Sequence, residues 1–188
     1  MQLNSSRLIG NSLQASNGEI GKVVDFYFDD QAWIIVYVIV NTGGWLADHK
    51  VLLSSYYLLK GVSSLGSFQV NLTKEEIRSC PDISTNKPVY QQQQLRSTVA
   101  MFQYRIETTD SQVGKLVDFI IDDETWDIEY LLIEMQSCLK GKKVLVAFKQ
   151  VKYVRWDLSL IMVEITSSML KTCPSYDPSE FSLQVLEH

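Results

Sequence analysis

The chain has 188 residues, 46% hydrophobic and 21% charged, enough apolar mass for packed cores and no compositional mark of disorder. Its formal net charge is −5, and neither half is basic: residues 1–95 hold seven Lys/Arg against eight Asp/Glu, the remainder ten against fourteen. General binding to DNA or RNA, which draws its affinity from cations neutralising phosphates, is thereby excluded.

Taken in chain order, the start from Met1 to Arg7 has no charged-then-apolar run of the kind a signal peptide needs. Gly18 and Gly21 flank a turn, and Val23, Val24, Phe26 and Phe28 predict a β segment ending at the polar hairpin Asp29-Asp30-Gln31. Trp33 to Val40 is dense in β-branched and aromatic residues, which suit a buried strand. Within it, Ala32 to Val40 is the longest apolar run, at nine residues, against the roughly 20 that a membrane-crossing helix requires. No membrane span is expected.

Asn41-Thr42-Gly43-Gly44 breaks that strand, and Lys50–Leu53, Tyr56–Leu59 and Ser67–Leu72 read as short strands. Thr73-Lys74-Glu75-Glu76 has the form of a capping box, and Pro81 closes the helix it opens. Asp82 to Thr98, with Pro88 and Gln91 to Gln94, reads as a connector. Beyond it come Val113–Ile121, a turn at Asp122-Asp123-Glu124-Thr125, Trp126–Ile133, Lys143–Phe148, Val151–Trp156 and Leu158–Ile165. In the last stretch Trp156, Leu158, Leu160 and Met162 alternate as one inward strand face would.

The second series repeats the first. An offset of 93 lays residues 17–81 on residues 110–174 without a gap and gives 19 identities in 65 pairs, among them Gly21/Gly114, Asp25/Asp118, Trp33/Trp126 and Cys80/Cys173. Two copies are too few for a stacked solenoid, so each should be a small domain of its own. Five or six short strands per copy point to a small barrel or a strongly curved sheet.

Gly21-Lys22-Val23-Val24-Asp25, Asp29, Trp33, Tyr37–Val40, Lys50–Leu53 and Val70–Thr73, with their second-copy equivalents through Pro174–Pro178, resemble the PRC-barrel family in its tandem bacterial form. The resemblance implies a mainly β fold of two tandem small barrels, each with a short helix near its carboxy-terminal end. Relatives include the cytoplasmic part of the photosynthetic reaction centre H subunit and the carboxy-terminal domain of a ribosome maturation factor, which both dock onto larger assemblies. Expected boundaries are 1–83 for the first barrel, 84–97 for a linker, 98–178 for the second barrel and 179–188 for a tail ending in a purification-tag remnant at His188.

A structural signature of Gly21, Asp25, Trp33, Gly114, Asp118 and Trp126 should hold the two cores. The hairpin acids Asp25, Asp29, Asp30, Asp118, Asp122 and Asp123 are read as turn-forming and solvent-facing, with a cation site as the alternative. Trp45, in a loop and unmatched by Cys138, is a candidate exposed contact. Lys140, Lys142, Lys143, Lys149, Lys152 and Arg155 run without an acid among them and form either a patch for an anionic partner or a lysine-guarded strand edge.

His49 is the only histidine outside the tag remnant, and the second copy replaces it with Lys142; no catalytic, cofactor or metal residues are proposed. Cys80 and Cys173 are read as small buried residues. Three cysteines without close spacing fit a reducing compartment, so the cytoplasm is expected. The function expected is a non-enzymatic protein-binding or assembly module, with peripheral membrane association left open. Alternatives are a small-ligand or ion sensor and, by family analogy, an accessory role in photosynthetic electron transport.

Overall fold

The structure, a computed structural model, describes residues 2–46, 49–59, 67–83, 94–136 and 141–178. The expected strand ends and connector residues that fall at 60–66 and 84–93, and the tail 179–188, lie outside the described residues. Two compact units emerge, one formed by Leu3–Ala100 with the hairpin tip Asp122–Asp127, the other by Met101–Ile121 and the residues from Ile128 onward.

After β1 (Gln2–Asn4) and a single helical turn at Ser5–Leu8, the first unit builds its sheet from β2 (Ser12–Ala15), β3 (Gly18–Asp29), β4 (Ile34–Asn41), β5 (Lys50–Ser54) and β6 (Phe68–Gln69). The spatial order is β5-β4-β3-β2-β6, antiparallel except for the parallel β2–β6 pair. The long strand β3 also receives β7 (Leu95–Ser97), which pairs Tyr27 with Ser97 and Asp29 with Leu95. The last residues of the expected connector are therefore a strand of this unit.

In the second unit β8 (Arg105–Glu107), β9 (Gln112–Asp122), β10 (Ile128–Met135), β11 (Lys143–Ala147), β12 (Val151–Arg155) and β13 (Leu160–Val163) take the order β11-β10-β9-β8-β13-β12. Here too one pair, β8–β13, is parallel. Adding 93 to β2, β3, β4, β5 and β6 lands on β8, β9, β10, β11 and β13, and the capped helix Lys74–Arg78 lands on Ser167–Thr172.

The described residues form two mainly antiparallel sheets, within which closure of a barrel is not seen. No ladder among the described residues joins β5 to β6 or β11 to β12. The reason is local: a 3₁₀ corner, Ser55–Tyr57 or Phe148–Gln150, follows β5 and β11 and turns the chain away where a tight hairpin would pair it back.

That corner also corrects the strand expected at Tyr56–Leu59. Ser54 Oγ accepts the Tyr56 N–H and Ser55 Oγ donates to the Ile35 carbonyl at 2.7 Å, fixing a turn, after which Leu58 bridges to Val70, with Leu59 N–H donating to the Gln69 carbonyl and Asn71 N–H to that of Tyr57. The alternation expected from Trp156 to Met162 breaks in the same way. Trp156–Leu158 is a 3₁₀ turn closed by a left-handed Ser159, so Leu158 is exposed, and the buried residues of β13 are Leu160, Ile161 and Val163.

Phe26, Phe28, Leu13, Ile20, Ile35, Ile39 and Leu53 fill the first core, and Ile106, Leu116, Phe119 and Ile133 lie in the second, all at most 1% exposed. The predicted capping box forms: Thr73 Oγ1 accepts from Glu76 N, and Glu76 Oε2 accepts from Thr73 N at 2.7 Å. Such a cap is worth about 1 kcal/mol.

The signature glycines answer to one steric demand. A Cβ on Gly21 would stand 2.0 Å from the Asn41 carbonyl oxygen, and one on Gly114 2.2 Å from that of Glu134. At both places the long strand passes against the backbone at the end of its hairpin partner, so only a residue without a side chain fits. Gly21→Ala and Gly114→Ala should each lower unfolding free energy by at least about 2–3 kcal/mol, because backbone must yield. Equilibrium denaturation checks this, and an unchanged midpoint for either variant contradicts it.

Candidate functional site

The acidic hairpins divide into two kinds of carboxylate. Asp29 Oδ1 accepts the Gln31 and Ala32 N–H groups at 2.8 and 2.9 Å, and Asp122 Oδ1 accepts those of Glu124 and Thr125 at the same distances. One carboxylate oxygen of each is thus engaged by its own loop, in keeping with the turn-forming reading. Those loops bring Trp33 and Trp126 to φ 57° and 64°, left-handed conformations that cost a non-glycine residue about 1–2 kcal/mol.

Burial is what offsets that cost. Both indoles are 8% exposed, Trp33 against Phe28 at 5.3 Å and Trp126 against Phe26 and Phe68 at 6.3 Å. Both tryptophans are buried, but Trp126 packs on Phe26 and Phe68 of the first unit and not, as had been expected, within its own copy. Each sits in the turn before its strand, however, and not within it.

Asp25, Asp118 and Asp123 do not face solvent. Asp118 and Asp123 are 4% and 5% exposed, and Asp30 is covered and ion-paired to Arg96 at 2.8 Å. Asp25 is half-buried and accepts bonds from Phe26 N (2.8 Å), Ser97 Oγ (2.5 Å), Thr98 Oγ1 (3.1 Å) and Val99 N (3.2 Å), tying β7 and the following turn to β3. Burial raises its pKa, while the bonds from Ser97, Val99, Phe26 and Thr98 pull it down. A bulge between Val23 and Asp25 interrupts the alternation of β3 at this residue.

Three of the six residues in the basic run make contacts within the chain. Lys142 Nζ donates to the carbonyls of Lys171, at 3.0 Å, and Cys173, closing the end of the helix Ser167–Thr172. Lys152 pairs with Glu164 at 3.3 Å and Arg155 with Asp157 at 3.1 Å, both on the surface where such pairs contribute little. Lys143 and Lys149 are exposed and have no ion pair among the described residues. Lys140 lies outside the described residues, as does Cys138. Lys152 and Arg155 stand on β12, an edge of the second sheet, in keeping with the lysine-guarded edge.

Trp45, expected as an exposed contact, is half-buried in a 3₁₀ turn, Gly43–Leu46. Its indole N–H donates to the Ile20 carbonyl, and Lys74 Nζ and Arg78 Cζ lie 5.3 and 6.0 Å from its ring centroid. It walls a groove of about 710 Å³ in the first unit, together with Ile9, Lys22, Val24 and Thr42.

His49 is bound to Asp82 at 2.9 Å. Cys80 and Cys173 are free thiols, half-exposed at helix ends rather than buried; desolvation, then Glu76, raises the Cys80 pKa. The most exposed apolar group of the first unit is one that strand reading hid. Tyr56 is 86% exposed and Tyr57 40%, in edge-to-face contact at 5.6 Å, with Leu59 at 46% beside them in sequence. The paired tyrosines were visible in the sequence, but read as a strand they would have faced opposite sides.

Two carboxylates titrate with opposite sign. Asp110 accepts from Ser167 N and Oγ and from Thr108 Oγ1 at 2.8–2.9 Å, and the Ser167 backbone bond, first among these, holds its pKa below the ordinary 3.8. A depressed carboxyl stabilises the fold above pH 3.8 and loses that contribution as pH falls toward its folded value. A raised one such as Asp25 contributes most in acid and loses that contribution as pH climbs from 3.8 through its folded value. Asp110→Asn, which installs the residue found at Asn17 in the first copy, should therefore flatten the acid limb of melting temperature against pH. An unaltered limb contradicts the assignment.

Among known families, the PRC-barrel domain matches residues 1–77, a stretch that takes in β1 to β6 and reaches Ile77 in the capped helix. None of the curated proteins matches the chain. The stretch contains Gly21, Asp25, Trp33, Trp45 and the Tyr56–Tyr57 corner, so the candidate groove and the exposed aromatic pair both lie on the matched domain.

Proposed function

We propose that the chain is a non-enzymatic docking module of two tandem PRC-type units, the second descended from the first by in-line copying, that works in the cytoplasm by holding a protein partner. A PRC-barrel domain points at most to an interaction or assembly role, and the observation that carries the reading further is the Tyr56–Tyr57–Leu59 corner. Aromatic side chains are the residues that interface centres favour, because they bring large rigid area at low entropic cost. This pair stands on a 3₁₀ turn pinned by two serine bonds, so it is presented preorganised.

The second unit supports the reading by contrast. At the same corner it places Lys149 and Gln150 for Tyr56 and Tyr57, and Lys152 for Leu59, so one framework carries an apolar contact in one copy and a solvated one in the other. The sensor alternative has less behind it, since Asp29 and Asp122 each commit Oδ1 to two N–H groups of their own turn. A membrane surface would have to be held from outside, because no helix among the described residues is long and apolar enough to cross.

Tyr56→Lys with Tyr57→Gln copies the second corner onto the first and should leave the melting temperature within a few degrees. Affinity capture from the native cell should then lose the partner that the parent chain retains. An identical set of captured proteins from both chains, or no partner for the parent, defeats the proposal.

A further inference from the structure

The first unit contains a concave site that the docking reading does not use. The groove measures about 710 Å³, within the roughly 300–1,000 Å³ typical of small-molecule sites. Its walls are the half-buried side chains of Ile9, Val24 and Trp45, and its floor includes the exposed-side backbone of Ile20 and Gly21.

Trp45 is held rigidly, its N–H on the Ile20 carbonyl and its ring against Lys74 and Arg78, so it offers a fixed π-face and no spare donor. The polar groups around the groove are nearly all engaged. Asn41 Oδ1 accepts from Gly43 N at 3.0 Å, Thr42 Oγ1 donates to the His49 carbonyl at 2.9 Å, and Glu19 accepts from Ser12 Oγ at 3.0 Å. The charged groups of the lining are the Glu19 carboxylate and the Lys22 ammonium, which has no ion pair among the described residues, and Lys74 and Arg78 add two cations beside the Trp45 ring.

The second unit carries different side chains at several of these positions. Phe102, Gln103, Met135 and Gln136 stand where the first unit has Ile9, Gly10, Thr42 and Gly43, and Met135 is 1% exposed. Gly114 is correspondingly buried, whereas its counterpart Gly21 is half-exposed. Gly10 is also free to carry a side chain in this respect: nothing lies within 4 Å of a Cβ built on it, and Gln103 adopts a comparable positive φ of 74°.

We infer that the first unit binds a small apolar carboxylate in this groove, its ring or chain against Trp45, Ile9 and Val24 and its anionic group paired with Lys22. A walled apolar recess rewards a hydrophobic body, and the cations of Lys22, Lys74 and Arg78 around it outnumber the Glu19 carboxylate, which favours an anionic group over a neutral or cationic one. The site is independent of the Tyr56–Tyr57 corner, so the tyrosine variant described above should bind the same ligand as the parent, and failure of either proposal leaves the other standing.

The probe is 2-naphthoate, titrated into the full chain and read by amide and indole NMR shifts. Saturating shifts are expected at Gly10, Gly21, Gly43 and the Trp45 indole, with a dissociation constant of about 1 mM or tighter. Lys22→Gln should weaken naphthoate about fivefold to tenfold and leave the neutral 2-naphthamide unaffected, a loss of about 1–1.4 kcal/mol by the tenfold rule. Gly10→Gln should weaken both ligands. Absence of saturating shifts at these residues, shifts scattered over the surface, or equal loss of the acid and the amide in Lys22→Gln overturns the inference.

Discussion

The structure depends on one close approach of backbone to backbone. Where β3 leaves its first hairpin partner and runs along β4, Gly21 lies so near the Asn41 carbonyl that a Cβ there would stand 2.0 Å away, and Gly114 meets Glu134 in the same way. From that contact the rest of each unit is positioned. The long strand continues to the Asp29 or Asp122 turn, each turn holds a tryptophan in a left-handed conformation, and both indoles are buried, Trp33 on Phe28 and Trp126 on Phe26 and Phe68. A strand that spans both of its neighbours needs room at one end and a rigid turn at the other, and glycine and aspartate supply these.

Much of this framework was legible in the sequence because it rests on local chemistry. Thr73 and Glu76 announce a capping box whatever the fold around them, and Gly21, Asp29 and Trp33 recur as a set 93 residues on. The features that were misread depend on partners distant in sequence. Asp25 looked like a surface acid because its acceptor role is met from Ser97, Thr98 and Val99, more than 70 residues away. Lys142 looked like part of a free basic patch because the carbonyls it closes belong to Lys171 and Cys173. Leu95–Ser97 looked like the end of a linker because its ladder partner is β3. Periodicity could not reveal the corners at Ser55–Tyr57 and Phe148–Gln150 either, since a serine bond to a neighbouring strand decides the first of them.

The surfaces tell the two units apart while the interiors do not. Identities at Gly, Asp and Trp hold the frame, and the positions free to change have diverged in chemistry: tyrosines against Lys149 and Gln150 at one corner, and small residues against Phe102 and Met135 around the groove. Function on a shared scaffold resides in such grafted differences. The matched domain at residues 1–77 carries the exposed aromatics and the open recess, whereas in the second unit Lys142 engages backbone carbonyls and Lys152 pairs with Glu164.

That the same frame is built twice is tested most directly by native-state hydrogen exchange followed residue by residue. Amides 93 residues apart, such as those of Val23 and Leu116, Val40 and Ile133, or Val51 and Val144, should show protection as pairs, with the slowest amides of each unit falling on its long strand and the strand beside it. Strong protection along β3 and β4 with none along β9 and β10 would contradict the account.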